Sequence, residues 1–213
     1  MIDRMTSRSE QAGIPSELPL LALRDDVLLP GEPTQLTVGR PSSLAALLAA
    51  VNGHGHVAVV AQRAAEVDEP GRADLFDVGC AARVAEIADA EAGLTARLDG
   101  VARIRIDAVV GDRPTVARTS LLPDPLDADP PLDAATVAWL HDLAVNVLSR
   151  TRMSKLAAAR LVAGASPGRV ANMIAGTLAM SVHAKQQFLE LDDVAERVRI
   201  LRDPARAAWL AAR

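Results

Sequence analysis

Cysteine, lysine, tyrosine and long apolar runs are absent or nearly absent from this 213-residue chain. A single cysteine, Cys80, excludes an intrachain disulfide and any multi-cysteine metal site. Lys155 and Lys185 are the only lysines, and neither follows a glycine, so no phosphate-binding loop of the G-x-x-x-x-G-K-[ST] type can form. Aromatics are limited to Phe76, Trp139, Phe188 and Trp209. No apolar run reaches membrane-spanning length, and polar Met1–Gln11 carries no signal-peptide core. These absences lead us to expect a soluble cytoplasmic protein without a cofactor, metal or membrane partner.

Half of the residues are nevertheless apolar, which is ample for a packed core. With so few rings, that core must be built from Leu, Val, Ile and Ala, and its stability must depend on close packing. The net charge of −4 and the lack of an aromatic–basic stripe disfavour nucleic acid as a partner.

The apolar pattern changes period once along the chain. Residues 1–16 read as a polar lead-in, and residues 17–122 read as strands with one inserted helix. Leu18–Leu23, Gln35–Val38, Val57–Ala61, Val78–Ile87, Leu94–Leu98, Val101–Val109 and Thr115–Leu121 are the predicted strands. Ser42 or Ser43 is the expected cap of a helix carrying Leu44, Leu47 and Val51, which Asn52-Gly53 ends. In Val101–Val109, Ala102, Ile104 and Ile106 alternate with Arg103 and Arg105, which assigns one face to the core and one to water. Residues 123–132 are rich in Pro and Asp and read as a linker, and 133–213 follows a helical period. Asp133, Ser166, Ser181 and Asp192 are the expected caps there. The predicted class is α+β: a small, partly closed barrel with one inserted helix, followed by a helical bundle.

Three motifs suggest chemistry. Gly164-Ala165-Ser166-Pro167-Gly168 matches the G-x-S-x-G nucleophile elbow. That motif needs a strand before the serine, whereas a helix is predicted here, and no acid lies between Ser166 and His183. An N-cap followed by Pro at the first helical position is the better reading, leaving a Ser166 hydrolase as the weaker alternative. His54-Gly55-His56 offers at most half of a metal site and reads as a solvated turn. Arg97, Arg103, Arg105, Arg113 and Arg118 cluster within one stretch of strands, which keeps RNA binding as an alternative to be weighed against a solvated strand face.

Taken in order, several segments form a further pattern. The chain reads LPLLALRDDVLLPG over Leu18–Gly31 and LTVGRPSSLAAL over Leu36–Leu47. It continues VAVVAQRAAEVDEPGRADLFDVGCAARVAEI over Val57–Ile87 and LDGVARIRI over Leu98–Ile106. SPGRVANMIAGTL (Ser166–Leu178) and AKQQFLELDDVAERVRIL (Ala184–Leu201) follow. This succession resembles the N-terminal domain of the Lon protease family across nearly the whole chain. Thr37 departs from it, standing where the family commonly has a bulky apolar residue.

The resemblance implies a PUA-like barrel followed by a helical bundle. It also implies a non-catalytic protein-binding module for unfolded or degron-bearing polypeptides or a specific partner, acting in protein quality control as an adaptor or regulator of proteolysis. The ATPase and protease modules of the complete enzymes have no counterpart residues here, so a stand-alone, non-enzymatic domain is expected. In complete proteases this region also supports assembly, so a homo-oligomer is compatible with the reading. Arg24, Leu28, Leu29, Pro30, Leu36 and Arg40 are the candidate contact residues, weighed against ordinary folding roles for each.

Overall fold

The computed structural model describes residues 13–91, 93–112, 114–122, 130–150 and 153–203. They fall into two compact units, one within 13–122 and one within 130–203. Most of the predicted lead-in, residues 123–129 of the predicted linker and the end of the predicted bundle, with Trp209, lie outside the described residues.

The first unit contains β1 (Glu17–Leu23), β2 (Pro33–Val38), α1 (Pro41–Asn52), β3 (His56–Ala61), β4 (Val78–Ala90), β5 (Gly93–Val110) and β6 (Val116–Leu121). The strands form one sheet in the order β2-β5-β4-β3-β1-β6, and β6 also pairs back onto β5. The sheet therefore curls into a ring. β1 and β3 run parallel, and the other pairs are antiparallel. The ring is not fully closed, because β2 pairs with β5 alone and β6 reaches only Glu17–Pro19 of β1.

Both faces of the central strands are covered. Leu21, Val57, Val59, Cys80, Ala82, Ala96 and Leu98 pack on one face with Leu47 and Ala50 of α1. Leu18, Leu20, Ala58, Val60, Ala81, Ile104 and Ala117 pack on the other. This explains why Val57–Ala61 is an uninterrupted apolar run: alternate residues serve two cores. Small side chains such as Ala58, Ala81 and Ala82 are fully buried, so the scarcity of rings is matched by a core of small side chains.

Three differences from the sequence-based expectations have physical causes. Leu94–Leu98 and Val101–Val109 are one continuous strand, β5, rather than two. Gly100 does not break it. The Leu29 carbonyl approaches Gly100 so closely that an added Cβ would lie 2.2 Å from that oxygen. Gly31 N–H donates to the Gly100 carbonyl at 2.9 Å, and Gly100 N–H donates to Glu32 at 2.9 Å. Glycine is thus required by an incoming loop. That loop, Leu28-Leu29-Pro30, is buried, and Gly31 adopts φ 83°, which lets the chain turn back out.

Second, α1 starts at Pro41 after Arg40, without a side-chain cap. Proline with its preset φ at the first position opens the helix instead, and Ser43 is buried. Third, Arg103 is 2% exposed although it alternates with core residues. Alternation fixes the face a side chain takes, but not whether that face stays wet.

The second unit contains α2 (Ala134–Leu148), α3 (Lys155–Val162), α4 (Pro167–Thr177), α5 (Val182–Glu190) and α6 (Val194–Arg202). Each starts at a side-chain cap: Asp133, Ser154, Ser166, Ser181 and Asp193, one residue beyond the expected Asp192. Leu140, Ala144, Val162, Val170, Ile174, Val194 and Val198 make its core. Arg197 is fully buried there, donating to the Leu191 carbonyl at 2.7 Å and to Asn172 Oδ1 at 2.9 Å. Its guanidinium carbon lies 5.7 Å from the Phe188 ring centre. No helix among the described residues is long and apolar enough to cross a membrane.

The Gly100 contact gives a direct expectation. Gly100→Ala should lower unfolding stability by about 2–3 kcal/mol through forced displacement of the Leu29 loop, whereas Gly13→Ala, where a Cβ meets nothing within 4 Å, should be neutral. Urea unfolding followed by circular dichroism measures both, and equal stabilities of the two variants would remove the packing role assigned to Gly100.

Candidate functional site

The seam left by incomplete ring closure forms a groove of about 500 Å³. Its walls are two continuous runs of chain: Leu21 to Asp26 at the end of β1, and Leu36 to Arg40 at the end of β2, with Ser43 of α1 beside them. Beyond Pro19, β1 has no strand partner on its β6 side, and β2 has none on the side away from β5, among the described residues, so the groove is a slot between two strand edges. Leu21, Leu23, Leu36 and Val38 belong to or pack against the adjoining core cluster and make the slot apolar.

One end of the slot is held by charge. Arg40 Nη1 donates to Gln62 Oε1 at 2.7 Å and to the Asp68 carbonyl at 3.3 Å, and Arg40 Nη2 donates to the Ala22 carbonyl. Gln62 is 2% exposed and directly follows β3. Its Nε2 donates to the Val67 carbonyl at 2.8 Å and the Ala64 carbonyl at 3.2 Å, and its backbone N–H donates to Leu23 at 2.8 Å. Arg24 forms an ion pair with Asp68. Burial holds the Arg40 guanidinium below the ordinary arginine value, and the Arg24 charge adds to this, while Glu69 and Asp68 oppose it. Arg24 Nε is buried and has no acceptor among the described residues. Asp26 caps the Val27 N–H at 2.8 Å, and Asp25 is exposed.

The acidic loop over 63–77 is anchored on its far side too. Arg63 Nε donates to the Leu75 carbonyl at 2.9 Å, and its guanidinium carbon lies 4.8 Å from the Phe76 ring centre. Arg72 pairs with Asp77 and donates to the Ile106 carbonyl at 2.9 Å. The Arg72 hydrogen bond is the chief cause holding the Asp77 carboxyl below the usual aspartate range; burial opposes it, and the charges of Arg72 and Arg63 add to it.

Of the residues singled out in the sequence, Arg24, Leu36 and Arg40 meet at this groove. Leu28 and Leu29 do not: they are 3% and 0% exposed, and with buried Pro30 they fill the core against Gly100. Apolar residues in a loop bury themselves when the barrel mouth offers a socket. Gln62 and Asp68 carry the site's polar framework and were not among the candidates. A polar side chain ending the all-apolar run Val57–Ala61 was the available signal for Gln62.

The other motifs resolve differently. Ser166 lies in the turn between α3 and α4, not after a strand, and its Oγ accepts from the Arg169 N–H at 3.4 Å. The elbow geometry is therefore missing. His56 Nδ1 lies 2.9 Å from the His54 carbonyl in an exposed turn, and no group of three or more metal-ligating side chains occurs among the described residues. Of the described arginines in the strand stretch, only Arg105 is exposed without an ion pair among the described residues, so they form no common cationic face. Arg97 is 3.6 Å from Glu86, Arg118 is 3.0 Å from Glu17, Arg103 is buried, and Arg113 lies outside the described residues.

Comparison with known proteins follows the same outline. The family model described as the ATP-dependent protease La (LON) substrate-binding domain matches residues 17–203. The Lon protease of Anaeromyxobacter dehalogenans is 33% identical over 191 residues, covering 88% of this chain and 23% of that protein. Lon protease 4 of Sorangium cellulosum is 34% identical over 182 residues, covering 85% and 22%. The chain thus spans about a quarter of the length of the curated relatives it matches. Two solved structures share the fold. The N-terminal domain of Mycobacterium avium complex Lon protease superposes with TM-score 0.65 at 22% identity, covering 87% of this chain and 95% of that one. The Lon N-terminal domain protein of Xanthomonas campestris gives 0.61 at 23%, covering 91% and 98%.

Two substitutions test the local readings. Ser166→Ala should cost about 1 kcal/mol and Ser166→Asp nearly nothing, as a cap demands; equal losses in urea unfolding would count against the cap. For Asp77, the folded value is the lower, so its contribution is fully present above the unfolded value near 3.8 and is lost as pH falls through the folded one. Asp77→Asn should therefore be less stable than the parent at neutral pH, with the gap closing in acid. A gap that stays constant into strong acid refutes the Arg72–Asp77 assignment.

Proposed function

Because the chain belongs to the LON substrate-binding domain family, we propose that its slot between β1 and β2 binds polypeptide segments that are unfolded or expose apolar side chains. The observation that carries this reading is the slot itself: an apolar trough walled by Leu21, Leu23, Leu36 and Val38, beside Arg24 and Arg40. Apolar contact supplies affinity at roughly 25 cal/mol per Å² buried, and a few fixed polar groups supply orientation. Native proteins hide such segments and unfolded ones do not, so a shallow apolar slot discriminates by folding state without reading a long sequence. The module acts in proteolysis and protein quality control, in the cytoplasm, as a recognition element, adaptor or regulator that performs no bond cleavage itself. Its family supports the first part of this reading, and the paired or buried strand arginines make protein a better fit than RNA.

Leu36 is half-buried at the rim and accessible from the slot, so it separates binding from folding best. The parent should bind a reduced and alkylated, permanently unfolded model protein and ignore its native form in calorimetry. Leu36→Asp should weaken that binding at least about 10-fold, the cost of placing a charge against one apolar contact, while circular dichroism stays unchanged. Equal affinity for native and unfolded forms, or an unaffected Leu36→Asp variant that keeps its fold, rejects the reading.

A further inference from the structure

We propose that the slot takes its polypeptide as an added β-strand, paired along the free edge of β2, with side chains alternately apolar and polar and a basic residue at the end facing Asp25 and Asp26. This deepens the reading above and rests on it. That reading requires only apolar contact, whereas the structure adds geometry and charge.

The geometry comes from the sheet. β2 pairs with β5 over Pro33–Val38 and has no other strand partner among the described residues. Leu36, Thr37 and Val38 line the slot, and the side of β2 away from β5 has no strand partner among the described residues, so a strand edge faces a guest there. Three residues at about 3.3 Å each offer a pairing length of roughly 10 Å. The opposite wall is also an edge. β6 pairs with β1 only at Glu17–Pro19, and beyond it the Ala22 carbonyl is occupied by the Arg40 side chain instead of a strand. A guest in the slot lies where the ring lacks a strand. Arg24 Nε, buried on that side without an acceptor, lacks the kind of group that a guest carbonyl supplies.

The side-chain pattern follows from alternation. Val38 is buried and Leu36 half-buried on the inner face of β2, whereas Gln35 and Thr37 are exposed on the outer face. A strand added beside them places every second side chain against Leu36, Val38 and Leu23, and the others in water. Thr37, at a position where a bulky apolar residue would present a second apolar face, leaves that outer side polar. The charge at the open end is acidic. Arg24 is paired with Asp68, and Arg40 is shared among three acceptors, whereas Asp25 is exposed with no ion pair among the described residues. Asp26 stands beside it in the slot lining. A lysine or arginine on the guest complements this end, and an acidic one is repelled.

The test uses the full chain and synthetic peptides that alternate valine and threonine over eight residues, with two lysines at one end. Three backbone versions share all side chains: unmodified, N-methylated at one set of alternate amides, and N-methylated at the other set. Strand pairing through one edge predicts that one methylated set loses affinity at least 10-fold and the other set much less, and that amide exchange slows in β2 when the unmodified peptide is bound. Asp25→Arg, an exposed change that leaves the core untouched, should weaken the lysine-ended peptide and favour a glutamate-ended one. Equal affinity of all three backbones, with binding still lost in Leu36→Asp, overturns strand addition and leaves apolar recognition standing. Failure of every peptide to bind, while the unfolded model protein binds, also overturns it. Loss of both peptide and unfolded-protein binding overturns the two readings together.

Discussion

The guanidinium of Arg40, just beyond β2, is tied to three other parts of the chain. It donates to the carbonyl of Ala22 at the end of β1, to the side chain of Gln62 directly after β3, and to the backbone of Asp68 in the acidic loop. Charge-assisted hydrogen bonds are each worth about 1.5–3 kcal/mol, and a planar guanidinium holds its donors in a fixed fork that spans acceptors farther apart than the single ammonium of a lysine reaches. Gln62 extends the same network along the acidic loop to Ala64 and Val67. The ring of strands is open at this place, and a side chain takes the position that strand pairing would otherwise fill. The slot lies beside it.

Under the proposed function, the arrangement reconciles stability with binding. A fully closed barrel has no edge to offer, and an open, apolar edge invites aggregation. Here the edge of β1 is blunted by Arg40, that of β2 carries Pro33 at its start and Thr37 on its outer face, and charged residues stand at the slot's end. The apolar wall remains recessed. Recognition of unfolded segments needs only such a recess, since what distinguishes an unfolded chain is the availability of extended backbone and apolar side chains together. The loop Leu28-Leu29-Pro30 supports this indirectly by filling the barrel against Gly100. The site is therefore mounted on packed core rather than on a loop.

Much of the fold was legible in the sequence because local signals agreed with one another. Four of the five helix starts in the second unit were marked by the expected capping residues or lay one position away, and proline at the first position identified the start of α4. The strands of the barrel followed their apolar runs. What failed were judgements that depend on a distant partner. Leu94–Leu98 and Val101–Val109 read as separate strands, because the reason for Gly100 inside one strand, the Leu29 carbonyl, lies about seventy positions earlier. Arg103 looked solvated because alternation carries no information about what covers a face. The slot was only half visible. Arg24, Leu36 and Arg40 could be picked out, but that their segments face each other across a seam is a property of strand order, and Leu28 and Leu29 looked equally suitable until the barrel mouth received them.

The dependence of both fold and slot on one guanidinium is tested most directly by a double-mutant cycle between Arg40 and Gln62. Arg40→Met, Gln62→Leu and the double variant are compared for urea stability and for affinity toward the unfolded model protein. If the pair organises the seam, each single change loses stability and affinity in parallel, and the double variant loses far less than the sum, with a coupling of about 1 kcal/mol or more. Strictly additive losses, or variants that bind as tightly as the parent while their stability falls, would show that Arg40 serves the fold alone and that the slot owes its shape to something else.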